Sequence, residues 1–363
     1  MDAKDYLKEY KNKLDPFLKE YFNNKKAEAK KIDPLAEQAV KMIAKFTMAS
    51  GKRIRPTVMY YAFLADKKEE EISFEKSRAI MEASMSVELT HTFLLIHDDI
   101  IDRDSKRHGT KTIHEEYKSL AEKFFPGTDK HHFGNSMAMI VGDIAASMAN
   151  EILFESRFEA NNILRSLTQL QKIVYKTIPG EMLDIVMEAK GKTTEEEILR
   201  MHEGKTANYT FEGPMHLGAA LAGNLSENFL NKSSQYSKAV GKAFQIRDDI
   251  LGVFGDEKKL GKPVGSDIIE GKQTLLYIKA MEKANQEQRK QLSALLGKKN
   301  LNKKELKIFQ DIVKDTGSLK YSEELAGKLS REAVESLKSA GIKNQKSYDF
   351  LKKIAEYISK REN

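Results

Sequence analysis

Four acids crowd the end of an apolar run: Asp98, Asp99, Asp102 and Asp104 in LLIHDDIIDRD, residues 94–104. Asp98 and Asp102 are four apart, so on a helix they share one face, with Cβ atoms about 5–6 Å apart. Like charges at that spacing repel, at a cost of about 0.2–0.5 kcal/mol even on an exposed helix. A second acidic pair, Asp248 and Asp249, follows apolar residues in FQIRDDILGVFGD (244–256) and precedes a glycine-punctuated loop. One such cluster reads equally well as a solvated helix end. Two, each adjoining an apolar helical run, ask for partners.

Hard cations are the natural partners, because carboxylates turned inward are costly to desolvate alone. Mg²⁺ takes oxygen ligands at about 2.0–2.1 Å and typically uses one or two carboxylates plus substrate phosphates. Two facing acidic walls would hold a small cluster of such ions and, between them, a diphosphate. The basic residues extend this chemistry. GKRIRP (51–56) sets Lys52, Arg53 and Arg55 where a glycine turn enters a helix, with Pro56 near its first turn. Cations beside helix N-terminal amides make a phosphate seat. GKPVGSDIIEGKQT (261–274) adds Lys262 and Lys272. No G-x-x-x-x-G-K-[ST] run occurs, so nucleotide hydrolysis lacks its main sequence support.

These residues need long helices to carry them. SFEKSRAIMEASMSVELTHTFLLIHDDIID predicts one helix, N-capped by Ser73, with Ile80, Ala83, Val87, Leu94 and Ile101 near a 3.6-residue stripe. The last hundred residues read as successive amphipathic helices, and strand-like alternation is nearly absent. Punctuation falls at Ser50-Gly51, 103–112, Pro126-Gly127, Pro179-Gly180 and 252–271. Residues 115–135 read as a helix, a Pro-Gly turn and a lead into the next helix, either a surface excursion or a lid. The expectation is an all-α, single-domain bundle over residues 1–363.

Length and composition agree with that. A chain of 363 residues can bury a large core, and 32% charged residues mark a globular chain. The apolar runs fall short of a membrane span and the N-terminus lacks a signal-peptide core, so no transmembrane segment is expected. With no cysteine there is no disulfide framework, and a cytoplasmic location is the default expectation. A net charge of +7 is mild, and no nucleic-acid-binding pattern stands out. His108, His114, His131 and His132 crowd one region, without a C-x-x-C or H-E-x-x-H run to suggest a transition-metal site.

From Lys41 to Lys279 the chain resembles the trans-isoprenyl diphosphate synthases, the polyprenyl synthetase family. HDDIIDRD looks like its first aspartate-rich motif and FQIRDDILGVFGDEKKLGKPVGSD like its second. SGKRIRP is similar to the isopentenyl diphosphate seat, GKTA (204–207) to the Lys-Thr motif, and HFGNSMAMIVGD (132–143) to a further helix pattern. The resemblance implies a bundle of long helices around a central cavity, a homodimer, and three Mg²⁺ ions. It implies that Asp98 and Asp102 ligate Mg²⁺ on the allylic diphosphate and Asp248 a third ion from the opposite wall. Lys52, Arg55 and His91 would hold isopentenyl diphosphate; Arg107, Lys205, Lys262 and Lys272 would grip the allylic diphosphate; Thr206 and Gln245 would face the developing cation. Arg53, Asp99 and Asp104 read as supporting or solvated.

Three positions depart from the family pattern. His108 stands where a second arginine is usual, Gly252 where an aspartate is usual, and Glu181 where glutamine is usual. The family reads product length from bulky residues before the first motif. Phe93 is the expected floor, with Leu94 and Thr90 along the same helix, and a C20 product is favoured over C15. Two other readings stay open: a non-catalytic subunit, expected to lose aspartates, and a class I terpene cyclase, expected to lack GKRIRP and to carry Asn-Ser-Glu as its second motif.

Overall fold

The computed structural model describes residues 1–49, 51–107, 109–256 and 264–361, and it is all-α as expected. Ten helices carry or support the residues singled out above. They are α1 (Ala3–Ile32), α2 (Pro34–Ala49), α3 (Ile54–Leu64), α4 (Phe74–Ile101), α5 (Ile113–Phe124), α6 (Lys130–Phe154), α7 (Ala160–Lys190), α8 (Glu195–His202), α9 (Gly213–Ala222) and α10 (Glu227–Phe254). The chain divides into two compact units, Met1–Leu170 with Pro214–Asn224, and Gln171–Gly213 with Leu225–Asn363.

In the first unit, α1 turns Tyr6, Tyr10, Leu14, Leu18 and Phe22 inward at four-residue spacing. Leu14 and Leu18 are fully buried, and each such side chain stabilises the fold by about 1.5–3 kcal/mol. They join Ile43 of α2, Leu89 of α4 and Ala138 and Ala145 of α6 in one core. The helix α4 starts as its sequence predicts: the Ser73 hydroxyl accepts from the Lys76 N–H at 3.2 Å. It ends where Asp102 N–H donates to Asp98 O at 2.8 Å and Arg103 turns left-handed, with φ +58°. Placing a non-glycine residue there costs about 1–2 kcal/mol. The chain then makes a short antiparallel hairpin, Lys106–Arg107 with Thr110–Lys111, and α5 and α6 follow around a turn at residues 125–129.

Both α4 and α6 reach the length and apolar content of a membrane span, although their uninterrupted apolar runs are short. Scattered Ser, Thr and Gly interrupt their runs. In the folded chain they pack on each other, and 67% of the α4 window is buried. Gly142 of α6 lies against the His97 imidazole of α4, where any Cβ would collide with the ring.

In the second unit, Pro179-Gly180 does not punctuate the chain: α7 runs through both residues. Gly180 serves close approach instead. A Cβ at Gly204 would lie 2.8 Å from Gly180 Cα, so the two backbones nearly touch. The Asn208 amide donates to Lys176 O at 3.3 Å, partnering a carbonyl in the turn before the proline. From Glu203 to Glu212 the chain is π-helical, a rare form that is frequent at functional sites. Gly241 of α10 packs directly on Ala207 of this stretch, where a side chain would not fit.

Candidate active site

The acids of the first unit are held by α4 and the hairpin that follows it. Asp98 and Asp102 close the last turn of α4, with a carboxylate oxygen of each within 4.8 Å of the other. Arg107, on the hairpin, reaches back into the cluster. Its Nε donates to Asp99 Oδ1 at 2.5 Å, and its Nη2 to Asp98 Oδ2 at 3.1 Å and Asp104 Oδ2 at 3.3 Å. One guanidinium thus serves three carboxylates. Asp99 is 1% exposed, and burial pushes its carboxyl up to about 7 against the pull of Arg107. It faces the protein and Arg107, whereas the Asp98 side chain keeps 18% of its surface exposed.

The basic turn is built around a residue that the sequence left as supporting or solvated. Among the described residues Arg53 is the largest fully buried side chain, with a left-handed backbone of φ +54°. Its Nε donates to Asp15 of α1 at 2.9 Å, and its Nη1 to Glu88 of α4 at 2.6 Å and to Thr47 O of α2 at 3.0 Å. Lys11 Nζ donates to Gly51 O at 2.9 Å from the same side of α1. This network clamps the turn on three helices and leaves Lys52 exposed and Arg55 half-buried beside it. His91, three residues after Glu88 on α4, is half-buried.

Along α4, Phe93 is half-buried and meets the His97 ring edge-on at 5.0 Å between centroids. His97 Nε2 lies 3.1 Å from Met139 O of α6. Leu94 is half-buried, and the buried Thr90 hydroxyl donates to Ser86 O at 2.8 Å.

In the second unit, the π-helical stretch presents Lys205 to two carboxylates of α7, Glu181 Oε2 at 2.9 Å and Asp184 Oδ2 at 2.8 Å. Glu181, one of the departures from the family pattern, is therefore the ion-pair partner of a predicted site residue. Thr206 and Gln245 meet: the hydroxyl donates to Oε1 at 2.8 Å. The same amide donates from Nε2 to Asp249 Oδ1 at 3.0 Å, and Asp249 Oδ2 lies 3.5 Å from His202 Nε2. Asp248 is engaged by the guanidinium of Arg361, which stacks on the Phe244 ring at 4.1 Å and whose carbonyl accepts from Arg247 Nε at 2.7 Å. Lys272 pairs with Glu270 at 2.9 Å. A Cβ at Gly252 would lie 2.8 Å from Asp267 Oδ2, so a carboxylate from the short helix Ser266–Glu270 stands against the position where the family pattern carries one. His108 and Lys262 lie outside the described residues.

Sequence reasoning had not singled out Asp15, Glu88, Asp184, His202 or Arg361. Their partners lie far along the chain, and no local motif marks them.

A profile of the Polyprenyl synthetase family matches residues 36–313. A geranylgeranyl diphosphate synthase of Saccharolobus solfataricus is 33% identical over 86% of this chain and 87% of its own. A geranylfarnesyl diphosphate synthase of Aeropyrum pernix is also 33% identical, over 86% of this chain and 91% of its own. The crystal structure of a geranylgeranyl pyrophosphate synthase from Corynebacterium glutamicum, complexed with isoprenyl diphosphate and magnesium, superposes with a TM-score of 0.89 at 29% identity, covering 99% of this chain and 100% of that one. With the profile spanning most of the chain and these relatives covering it nearly throughout, the chain belongs to the polyprenyl synthetase family.

Proposed function

We propose that this protein is a trans-prenyltransferase that joins isopentenyl diphosphate head-to-tail to an allylic diphosphate, with geranylgeranyl diphosphate (C20) as its product. The observation that carries this reading is the Asp98–Asp102 pair, two carboxylates within 4.8 Å on one helix face, in a chain whose relatives are named as prenyl diphosphate synthases. Oxygen donors so arranged suit a hard cation such as Mg²⁺. In the first unit Asp98 and Asp102 would hold such ions, and in the second Asp248 would exchange the Arg361 guanidinium for a third. Mg²⁺ held there would supply charge neutralisation for the departing diphosphate.

The chain's own residues do the rest. Lys52, Arg55, His91 and His108 would hold isopentenyl diphosphate, and Arg107, Lys205, Lys262 and Lys272 the allylic diphosphate. Preorganised cations of this kind stabilise the charge that develops as the carbon–oxygen bond breaks. Thr206 and Gln245 would face the allylic cation. The isopentenyl double bond attacks it, a carbon–carbon bond forms, and one proton and one diphosphate leave.

Incubation with isopentenyl diphosphate, a labelled allylic diphosphate and Mg²⁺, followed by chromatographic sizing, tests this. A C20 product is expected, and no elongation at all would overturn the enzyme reading. A C15 or C25 end point would reject the length alone; C25 is the length that the Aeropyrum pernix relative is named for. In the same assay Phe93→Ala should lengthen the product, and an unchanged length would remove Phe93 from any measuring role.

A homodimer is part of this proposal. Among the described residues α6 leaves Met139, Ile140 and Phe154 exposed, and within the second unit α7 leaves Tyr175, Ile178 and Met182 exposed at three- and four-residue spacing. Apolar rows of this kind mark interaction surfaces, and a second copy would cover them. Light scattering should return twice the chain mass of 41.2 kDa; a monomer at assay concentration would refute it.

A further inference from the structure

We propose that His202 and Asp249 are positioning residues that set the direction of the hydrogen-bond chain ending on Thr206. The proposal rests on the reading that Thr206 and Gln245 face the allylic cation. Its basis is the series His202, Asp249, Gln245, Thr206, which joins α8, α10 and the π-helical stretch. His202 is 1% exposed and Asp249 5%.

Direction follows from donor and acceptor chemistry. A carboxylate only accepts, so Asp249 Oδ1 requires the NH₂ end of the Gln245 amide. The carbonyl end of that amide must then point at Thr206, whose hydroxyl can answer only by donating. The hydroxyl proton is thereby committed inward, and the oxygen lone pairs are left for whatever lies beyond Thr206. Lone pairs, the negative end of the dipole, are what a developing carbocation needs to meet. Were the amide reversed, Thr206 would accept from Gln245 and turn its proton outward, presenting the wrong sign.

His202 makes this direction secure. Asp249 Oδ2 is buried and has no hydrogen-bond partner among the described residues, and His202 Nε2, 3.5 Å away, is the nitrogen placed to compensate it. His202 Nδ1 is likewise buried without a hydrogen-bond partner among the described residues, and Asp249 is the carboxylate that the ring faces from Nε2. Without it, a buried carboxylate oxygen would be left uncompensated, and Asp249 would be drawn away from the amide it orients. Asp249 thus works on the protein side of Gln245, while its neighbour Asp248 faces Arg361.

Steady-state kinetics on the full chain separates this from a merely structural role. His202→Leu should lower kcat by about 10–100-fold, the usual effect of losing a supporting partner. The KM for isopentenyl diphosphate should stay within about twofold, as for an interaction made only in the transition state. His202→Gln, which keeps a donor, should recover most of kcat. In a Thr206→Val background His202→Leu should add nothing, because the chain is already cut at its end. Wild-type kcat in His202→Leu, or losses that multiply in the double variant, would overturn the proposal. Should His202→Leu fail to fold, Asp249→Asn carries the test: its amide tolerates either direction of Gln245, and kcat should fall similarly. Exchange of the Gln245 side-chain amide protons in the substrate-free protein gives an independent reading. It should be slow in wild type and faster in His202→Leu, and equal rates would refute the relay. If wild type makes no elongated product the functional reading fails, while amide exchange still decides the relay.

Discussion

Asp102→Ala should lower kcat by at least about 10²–10³-fold, the scale of losing one preorganised group that stabilises transition-state charge. Asp102 and Asp98 present carboxylate oxygens within 4.8 Å of each other, and this pair is the proposed seat of Mg²⁺ in the first unit. Removing either carboxylate leaves one ligand where two act together, so half-maximal activity should also need more Mg²⁺. Asp104→Ala is the control. Asp104 meets Arg107 at 3.3 Å, with about a third of its side chain exposed, and an exposed pair contributes only about 0.2–1 kcal/mol. Its kcat should therefore remain close to wild type. Near-wild-type turnover in Asp102→Ala, measured at saturating Mg²⁺ and both diphosphates, would remove the pair from the chemistry.

The largest expected stability effect is Arg53→Met. The guanidinium is fully buried and joins Asp15 and Glu88, whose own side chain is only 7% exposed. Taking the cation away strands a buried Glu88 carboxylate, and breaking a buried pair in this manner costs about 3–5 kcal/mol. Arg53→Lys keeps the charge but loses the fork that reaches α1, α2 and α4 at once, so it should fall between the two. Urea denaturation would show the midpoint moving down for Arg53→Met. A shift worth less than about 1 kcal/mol, the range of a surface pair, would mean the network is not structural. The same variant should raise the KM for isopentenyl diphosphate, because Lys52 and Arg55 flank Arg53 on the clamped turn.

What was legible in the sequence was whatever depends on spacing along one element. Asp98 and Asp102 could be placed on one helix face because four residues make about one turn. The start of α4 at Ser73 could be read because a cap bonds three residues ahead. The all-α class followed from periodicity alone.

What stayed hidden depends on partners remote in the chain. Arg53 could be read as solvated or as supporting, and the choice fell to Asp15 and Glu88, 38 and 35 residues away. Pro179-Gly180 reads as a break in any local scheme, yet the helix continues past both, and Gly180 instead lets Gly204 approach closely. Glu181 read as a departure from a pattern until Lys205, 24 residues on, supplied its ion pair.

The residue types and their intervals determined by themselves that this protein carries two acidic motifs, a basic turn and a Lys-Thr step on long helices. The tertiary structure alone decided that Asp99 is buried against Arg107 while Asp98 stays partly exposed, and which way the Gln245 amide points. The physical reason is that helical spacing is a property of neighbouring residues. The state of a carboxylate or the direction of an amide is set by burial and by the donors packed against it, and folding brings those from distant parts of the chain.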